Sequence, residues 1–318
     1  MNINGHKVEW PFPLKLLIGA SLWFISFSLF SLIGIGIASA FTGLKFSDIQ
    51  AMNPGIHSST FTLGLKIIQL FEDIGMFVVP ALFLPFIFFQ KGPASFIGFK
   101  SQSTLLLMLL AILLILCIQP LISITGYLNE MVRLPGFLSG LEQEIRDMEN
   151  KNQAMMQQFL NMHGPGDFII NIFIVAVLPA FAEELFFRGF VQRSLQHWMR
   201  NENLAVIFAA LIFSFIHFEF YGFVPRFLLG LLMGYAYLWS GDLKIAMLIH
   251  FTNNFFDLSL SYFMKQDVKT SGAEPVPGFP QILFLLSSMI LLAFLLYVFK
   301  MRAQAAQLIW YEGDQNEE

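Results

Sequence analysis

Long apolar runs constrain this chain more than any other feature of its sequence. Eight of them lie near residues 13–41, 62–90, 103–126, 168–190, 204–221, 223–240, 244–263 and 279–300. About 20 predominantly apolar residues suffice for a helix to cross the hydrocarbon of a bilayer. The fold class this predicts is all-α, a polytopic membrane helical bundle of about eight transmembrane helices. Charge content agrees: 13% of residues are charged and mean hydropathy is +0.66, against roughly a quarter charged in soluble domains. The first run is too long for a signal-peptide core and lacks a convincing cleavage site, so it is read as a retained span. Only Glu219-Phe-Tyr-Gly222 separates the fifth and sixth runs, which predicts a tight hairpin there.

No internal repeat or boundary interrupts the pattern, so 1–318 reads as a single integral membrane domain. Residues 127–166 form its one long connection, and 303–318 an acidic tail whose end has the composition of disorder. The strong helix formers of Leu141–Leu160 predict an outer amphipathic helix, lying on the membrane or capping the bundle. A solvated connector explains its charges more simply than a substrate lid. His163-Gly-Pro-Gly-Asp167 then breaks that helix before the fourth span.

The Lys and Arg bias sets the orientation. With the N-terminus inside, Lys7, Lys15, Lys91, Lys100, Arg193, Arg200, Lys244, Lys300 and Arg302 are cytoplasmic. The outer loops hold Lys45, Lys265 and Lys269, with Lys66 and Arg226 near outer span ends. A protein integral to the cell (inner) membrane with both termini cytoplasmic follows. The net charge of −4, with no basic patch interleaved with aromatics, gives no sign of nucleic-acid binding. Cys117 is the single cysteine, so neither a disulfide framework nor a Cys-based metal site is available, and it reads as a packing residue.

Polar groups stand out against this background. The stretch Leu178-Pro-Ala-Phe-Ala-Glu183-Glu184-Leu-Phe-Phe-Arg188-Gly-Phe190 puts two acids and a base at the end of an oily run. Ionisable groups inside a membrane are costly and commonly functional. Glu184 and Arg188, four residues apart, share a helix face, while Glu183 is rotated by about 100°. One carboxylate is thus neutralised and the other left for chemistry. The fifth run carries Phe213-Ser-Phe-Ile-His217 and the seventh His250-Phe-Thr-Asn253-Asn254, where His250 and Asn254 again share a face. Singly, each is explained as a hydrogen-bonded structural residue or as glue between helices. Together, Glu183, Glu184, Arg188, His217, His250 and Asn254 are more cheaply buried around one wet cavity than apart.

A carboxylate beside an imidazole can deprotonate water and return the proton to a leaving amine. A second imidazole and an amide can donate hydrogen bonds to an oxyanion, each worth about 3 kcal/mol when well placed. Alternatively, Glu183, His217 and His250 form a plausible zinc set with an open position for water. The residues leave both chemistries open.

The three motifs, EExxxR, FxxxH and HxxxN in that order, resemble those of the CAAX protease and bacteriocin-processing family. This family, also called the abortive-infection family, includes the type II CAAX prenyl endopeptidases. The resemblance covers about 168–263, the motif-bearing core, and extends to Phe227-Leu-Leu-Gly-Leu-Leu-Met-Gly-Tyr235 and the Gly-Asp-Leu turn at 241–243. It implies an intramembrane glutamate or metallo-endopeptidase whose site opens to the cytosol and whose partner is a peptide or protein substrate in the bilayer. In that reading Glu183 is the general base, His217 positions the water, His250 and Asn254 form the oxyanion site, and Arg188 orients the glutamate pair. Zinc dependence and metal independence both occur as descriptions of the family. The brevity of the chain suits a prokaryotic member.

Two other classes are consistent with the composition: a non-catalytic binding or immunity protein that retains the fold, and a proton-coupled transporter. The second is disfavoured by the lack of a repeat or paired broken helices. A geometric condition also follows. If the fifth helix starts near Asn203, His217 lies about 21 Å along it. Glu183 matches that depth only if the fourth helix continues past Gly189 to about Trp198.

Overall fold

The computed structural model describes residues 11–45, 59–90, 92, 104–160, 162, 164–264 and 279–314. Lys7, Lys91, Lys100, Lys265 and Lys269 of the charge count, His163 of the helix break and residues 315–318 of the acidic tail lie outside these.

Each apolar run is a helix. We number them α1 (Phe12–Thr42), α2 (residues 59–89), α3 (Leu105–Glu130), the connector α4 (Ser139–Leu160), α5 (Pro165–Met199), α6 (Glu202–Phe215), α7 (Phe223–Ser240), α8 (Leu243–Met264) and α9 (Phe279–Asp314). No strand occurs among the described residues. Five of the helices, α1, α2, α3, α5 and α9, have spans long and apolar enough to cross a bilayer. Of the remaining apolar runs, the one forming α6 is a shorter apolar helix of 14 residues, and those forming α7 and α8 pack in the same bundle. The chain is a helical integral membrane protein.

Helix ends follow local chemistry. The Thr104 hydroxyl accepts the Leu107 N–H at 3.3 Å to start α3, and Asn201 Oδ1 accepts the Leu204 N–H at 3.1 Å to start α6. One boundary is as expected and two differ. The fourth run extends as helix from Pro165 to Met199, which meets the depth condition. The last helix continues to Asp314, into the segment read as a tail. The fifth stops at Phe215 instead of 221, because the chain reverses into the left-handed conformation at Phe218, φ 51°.

Two helices are wound loosely in part. α2 is π-helical over Ile74–Val78, and α5 over Ile172–Val177 and Phe187–Gln192. Pro80 and Pro179, which have no N–H to donate, follow the first two of these segments. Carbonyls there need other donors. The Ser26 hydroxyl donates to Gly75 O at 2.7 Å, and Asn254 Nδ2 donates to Val175 O at 3.0 Å.

The core is aromatic where α2, α5 and α6 meet. Phe77 lies 5.9 Å from Phe186 and 5.8 Å from Phe187, and Phe187 lies 5.1 Å from Phe213, edge to face. On the other side of α6, Gly230 and Gly234 bring α7 in closely. A Cβ at Gly230 meets Ala210 Cβ at 3.0 Å and its Cα at 3.1 Å, and one at Gly234 meets Val206 Cγ1 at 2.8 Å. This small-xxx-small seam is a general means of close helix approach in membranes. Gly230→Val is expected to cost about 1–3 kcal/mol through overpacking, read as a lowered unfolding midpoint in detergent; an unchanged midpoint argues against the seam.

The connector is more than a solvated link. Glu149 Oε1 accepts the Tyr221 N–H at 2.8 Å, the Arg146 guanidinium sits 4.6 Å over the Tyr221 ring, and Asn171 Nδ2 donates to Phe159 O at 2.7 Å. Asn129, at the end of α3, donates to Phe220 O at 2.7 Å. The α6–α7 turn is thereby fastened from outside. A polar cavity of about 320 Å³ lies between α3, the connector and Tyr221.

Candidate active site

The middle of α5 carries Glu183 and Glu184 on its regular α-helical turns, Leu178–Phe186, and Arg188 in the π-helical segment that follows. Glu184 is buried to 0% exposure and Arg188 to 1%. Arg188 Nη1 donates to Glu184 Oε1 at 2.9 Å and Nη2 to Gly230 O at 3.1 Å. The pairing expected from their spacing is present, and the carbonyl of a close-packed glycine completes it. Glu184 Oε1 also meets His250 Nδ1 at 3.0 Å, so one oxygen joins α5 to α8 and Arg188 adds the link to α7.

Glu183 is placed differently. Its Oε2 is buried with no hydrogen-bond partner and stands 3.9 Å from His217 Nε2. His217, in the turn after α6, directs Nδ1 to Phe213 O at 2.7 Å. A carbonyl only accepts, so Nδ1 carries the proton, and in the neutral ring Nε2 is an acceptor. Two acceptors therefore face each other across a gap, an arrangement suited to a water that donates one hydrogen to each.

Phe213 explains the aromatic position of the second motif. Its ring centroid is 5.0 Å from that of His217 and 6.1 Å from that of His250, both edge-on, with the Arg188 guanidinium 4.8 Å over its face. It separates the two imidazoles and adds a cation–π contact to the ion pair.

Glu183, Glu184, Arg188, His217 and His250 thus lie around Phe213 and one another, whereas Asn254 is engaged elsewhere, and two of the six have partners that differ from expectation. His250 is bound to Glu184, so it offers an oxyanion an N–H from Nε2 only as the imidazolium. Asn254 uses one amide hydrogen on Val175 O, and its Oδ1 accepts from Asn253 Nδ2 at 3.3 Å. Among the described residues, no three His, Cys, Asp or Glu side chains are grouped as metal ligands.

The family described as type II CAAX prenyl endopeptidase, Rce1-like, matches residues 165–256. That segment is Rce1-like. The chain also resembles the uncharacterized protein YpbD of Bacillus subtilis (strain 168), at 33% identity over 87 residues, 26% of this chain and 41% of YpbD. The chain thus spans about two fifths of the length of that relative. No solved structure matches.

The Rce1-like segment holds every residue named above, but helices before it contribute too. Asp73 of α2 is 4% exposed and interacts electrostatically with Glu183. Gln119 of α3 donates to Asn253 Oδ1 at 2.9 Å. Inside the segment, Gln192 is buried and donates to Gly234 O at 3.1 Å. Sequence reading missed all three. The signal for Asp73 was present, since Glu72-Asp73 is an acidic pair inside a span, whereas single amides in apolar helices carry little.

Proposed function

We propose that this protein is an intramembrane endopeptidase that hydrolyses a peptide bond in a membrane-associated peptide or protein, with water activated by Glu183 and His217 and without a metal. The observation that carries the reading is the Glu183 Oε2–His217 Nε2 gap of 3.9 Å, buried on the carboxylate side and flanked by acceptors only. The Rce1-like match and the membrane fold support it.

Hydrolysis proceeds here in two proton transfers. The water oxygen attacks the carbonyl carbon while Glu183 takes one of its protons, and the carbonyl π pair moves onto oxygen. The tetrahedral intermediate then collapses as Glu183 gives that proton to the leaving nitrogen and the C–N bond breaks. His217 holds the second hydrogen of the water and so sets its direction. His250 as imidazolium and the remaining Asn254 N–H are the nearest donors for the oxyanion. Arg188 acts on neither water nor substrate; it fixes Glu184 and, through it, His250. Substrates of CAAX or bacteriocin type suit the reading, as does a cell-membrane location.

The test is purified protein in lipid vesicles, given a library of membrane-anchored peptides with and without a strong zinc chelator. Cleavage that resists the chelator is expected. No cleavage of any peptide favours a non-catalytic binding protein, and abolition by chelator with recovery on added zinc overturns the metal-free mechanism.

A further inference from the structure

Hydrolysis deep in a bilayer consumes water, which must reach Glu183 from a membrane surface. The polar residues of α2 are the strongest feature that the site leaves unused. Thr62, Lys66, Gln69 and Asp73 are spaced by four, three and four residues, which puts them on one face within about 60°. That face is packed inward: Lys66 is 7% exposed and Asp73 4%. Glu72, off this face, is accounted for by the Ser31 hydroxyl, which donates to it at 2.8 Å.

The face runs along α5. At its outer end Lys66 interacts with Asp167 in the first turn of α5. Gln69 Nε2 donates to Asp73 Oδ1 at 2.7 Å. Asp73 Oδ2 is buried and has no partner, as is true of Glu183 Oε2, and the two carboxylates interact electrostatically. α2 packs against the Leu178–Phe186 part of α5, and its first part meets the connector. From Thr62 to Asp73 the rise is about 16 Å.

A row of residues that only glued α2 to α5 would pair its polar atoms. Here the row ends in an unpaired carboxylate oxygen, Asp73 Oδ2, on a group close enough to Glu183 to interact with it electrostatically, and buried polar groups of this kind are ordinarily satisfied by water. We propose that the Thr62–Lys66–Gln69–Asp73 face of α2 lines a water passage from the connector side of the membrane to Glu183. The inference rests on the hydrolytic reading for its purpose, but its existence is measurable without catalysis.

The test uses the full chain in lipid vesicles with Cys117→Ser, which removes the single cysteine. Gln69→Cys reports on the passage. Leu32→Cys is the lipid-facing control, 59% exposed; each residue is ten from the adjoining end of its helix, 69 − 59 and 42 − 32. A water-soluble cationic methanethiosulfonate, applied to both faces of the membrane, is expected to modify Gln69→Cys at least about tenfold faster than Leu32→Cys, because hydrocarbon excludes a charged reagent. Lys66→Cys serves as a second reporter where Gln69→Cys does not elute as folded protein. Equal rates at reporter and control overturn the passage. Labelling without cleavage of any peptide keeps the passage and removes the proposed function, whereas cleavage without labelling does the reverse.

Discussion

Glu183→Gln is expected to lower peptide cleavage by about 10²- to 10⁴-fold, the usual contribution of a positioned general base. The substitution preserves shape but cannot take a proton. It also changes what lies across the 3.9 Å gap from His217 Nε2: a carboxylate oxygen that accepts is replaced by an amide able to donate directly to the ring. The water then loses both its base and its seat. Turnover should fall with little change in KM, because the carboxylate acts on water rather than on bound peptide. Glu183 anchors no helix, so the variant should elute and unfold like the parent protein. Retention of more than about a tenth of the parent rate would remove Glu183 from the role of base, given the size of that contribution.

Arg188→Ala should instead damage the fold. The guanidinium is 1% exposed, neutralises Glu184, donates to Gly230 O and covers the face of Phe213. Removing one partner of a buried ion pair leaves an uncompensated charge and costs about 3–5 kcal/mol. Arg188→Lys keeps the charge but loses the fork that reaches two acceptors, so its loss should be smaller. Replacing both partners, Arg188→Met with Glu184→Leu, should restore much of the stability while abolishing the Glu184–His250 contact. The measurement is the unfolding midpoint in mixed detergent micelles. If Arg188→Ala unfolds within about 1 kcal/mol of the parent, as ordinary substitutions do, the pair is not a keystone of the bundle.

The helices were legible because apolar length is a direct physical requirement of lipid, and the motif residues stood out because polar and charged groups are rare there. Spacing foretold the Glu184–Arg188 pair and the depth at which Glu183 meets His217. Partner choice was less legible. Whether His250 turns to Glu184 or to a substrate depends on helix rotation, which the π-helical segments of α5 alter and no periodicity reveals. Asn254 was read as an oxyanion donor, but its bond to Val175 O answers a gap in backbone pairing beside Pro179, a need invisible until the helix is wound. The two expectations about sidedness also conflict on this fold. The turn carrying His217 lies under the connector at the face opposite the termini, so cytoplasmic termini put that turn on the outer face.

The early end of α6 has a consequence for the lipid around it. Fourteen residues at 1.5 Å each make a rod of about 21 Å, about 9 Å short of a hydrocarbon layer some 30 Å thick. The irregular backbone from Ile216 to Gly222 would therefore sit where acyl chains normally are, a depth that tolerates unpaired peptide groups only beneath protein or beside water. α3 and the connector supply that shelter, since Asn129 and Glu149 bind the peptide groups of Phe220 and Tyr221. They serve here as a proteinaceous patch of headgroup region, sunk to meet a helix too short to reach the surface.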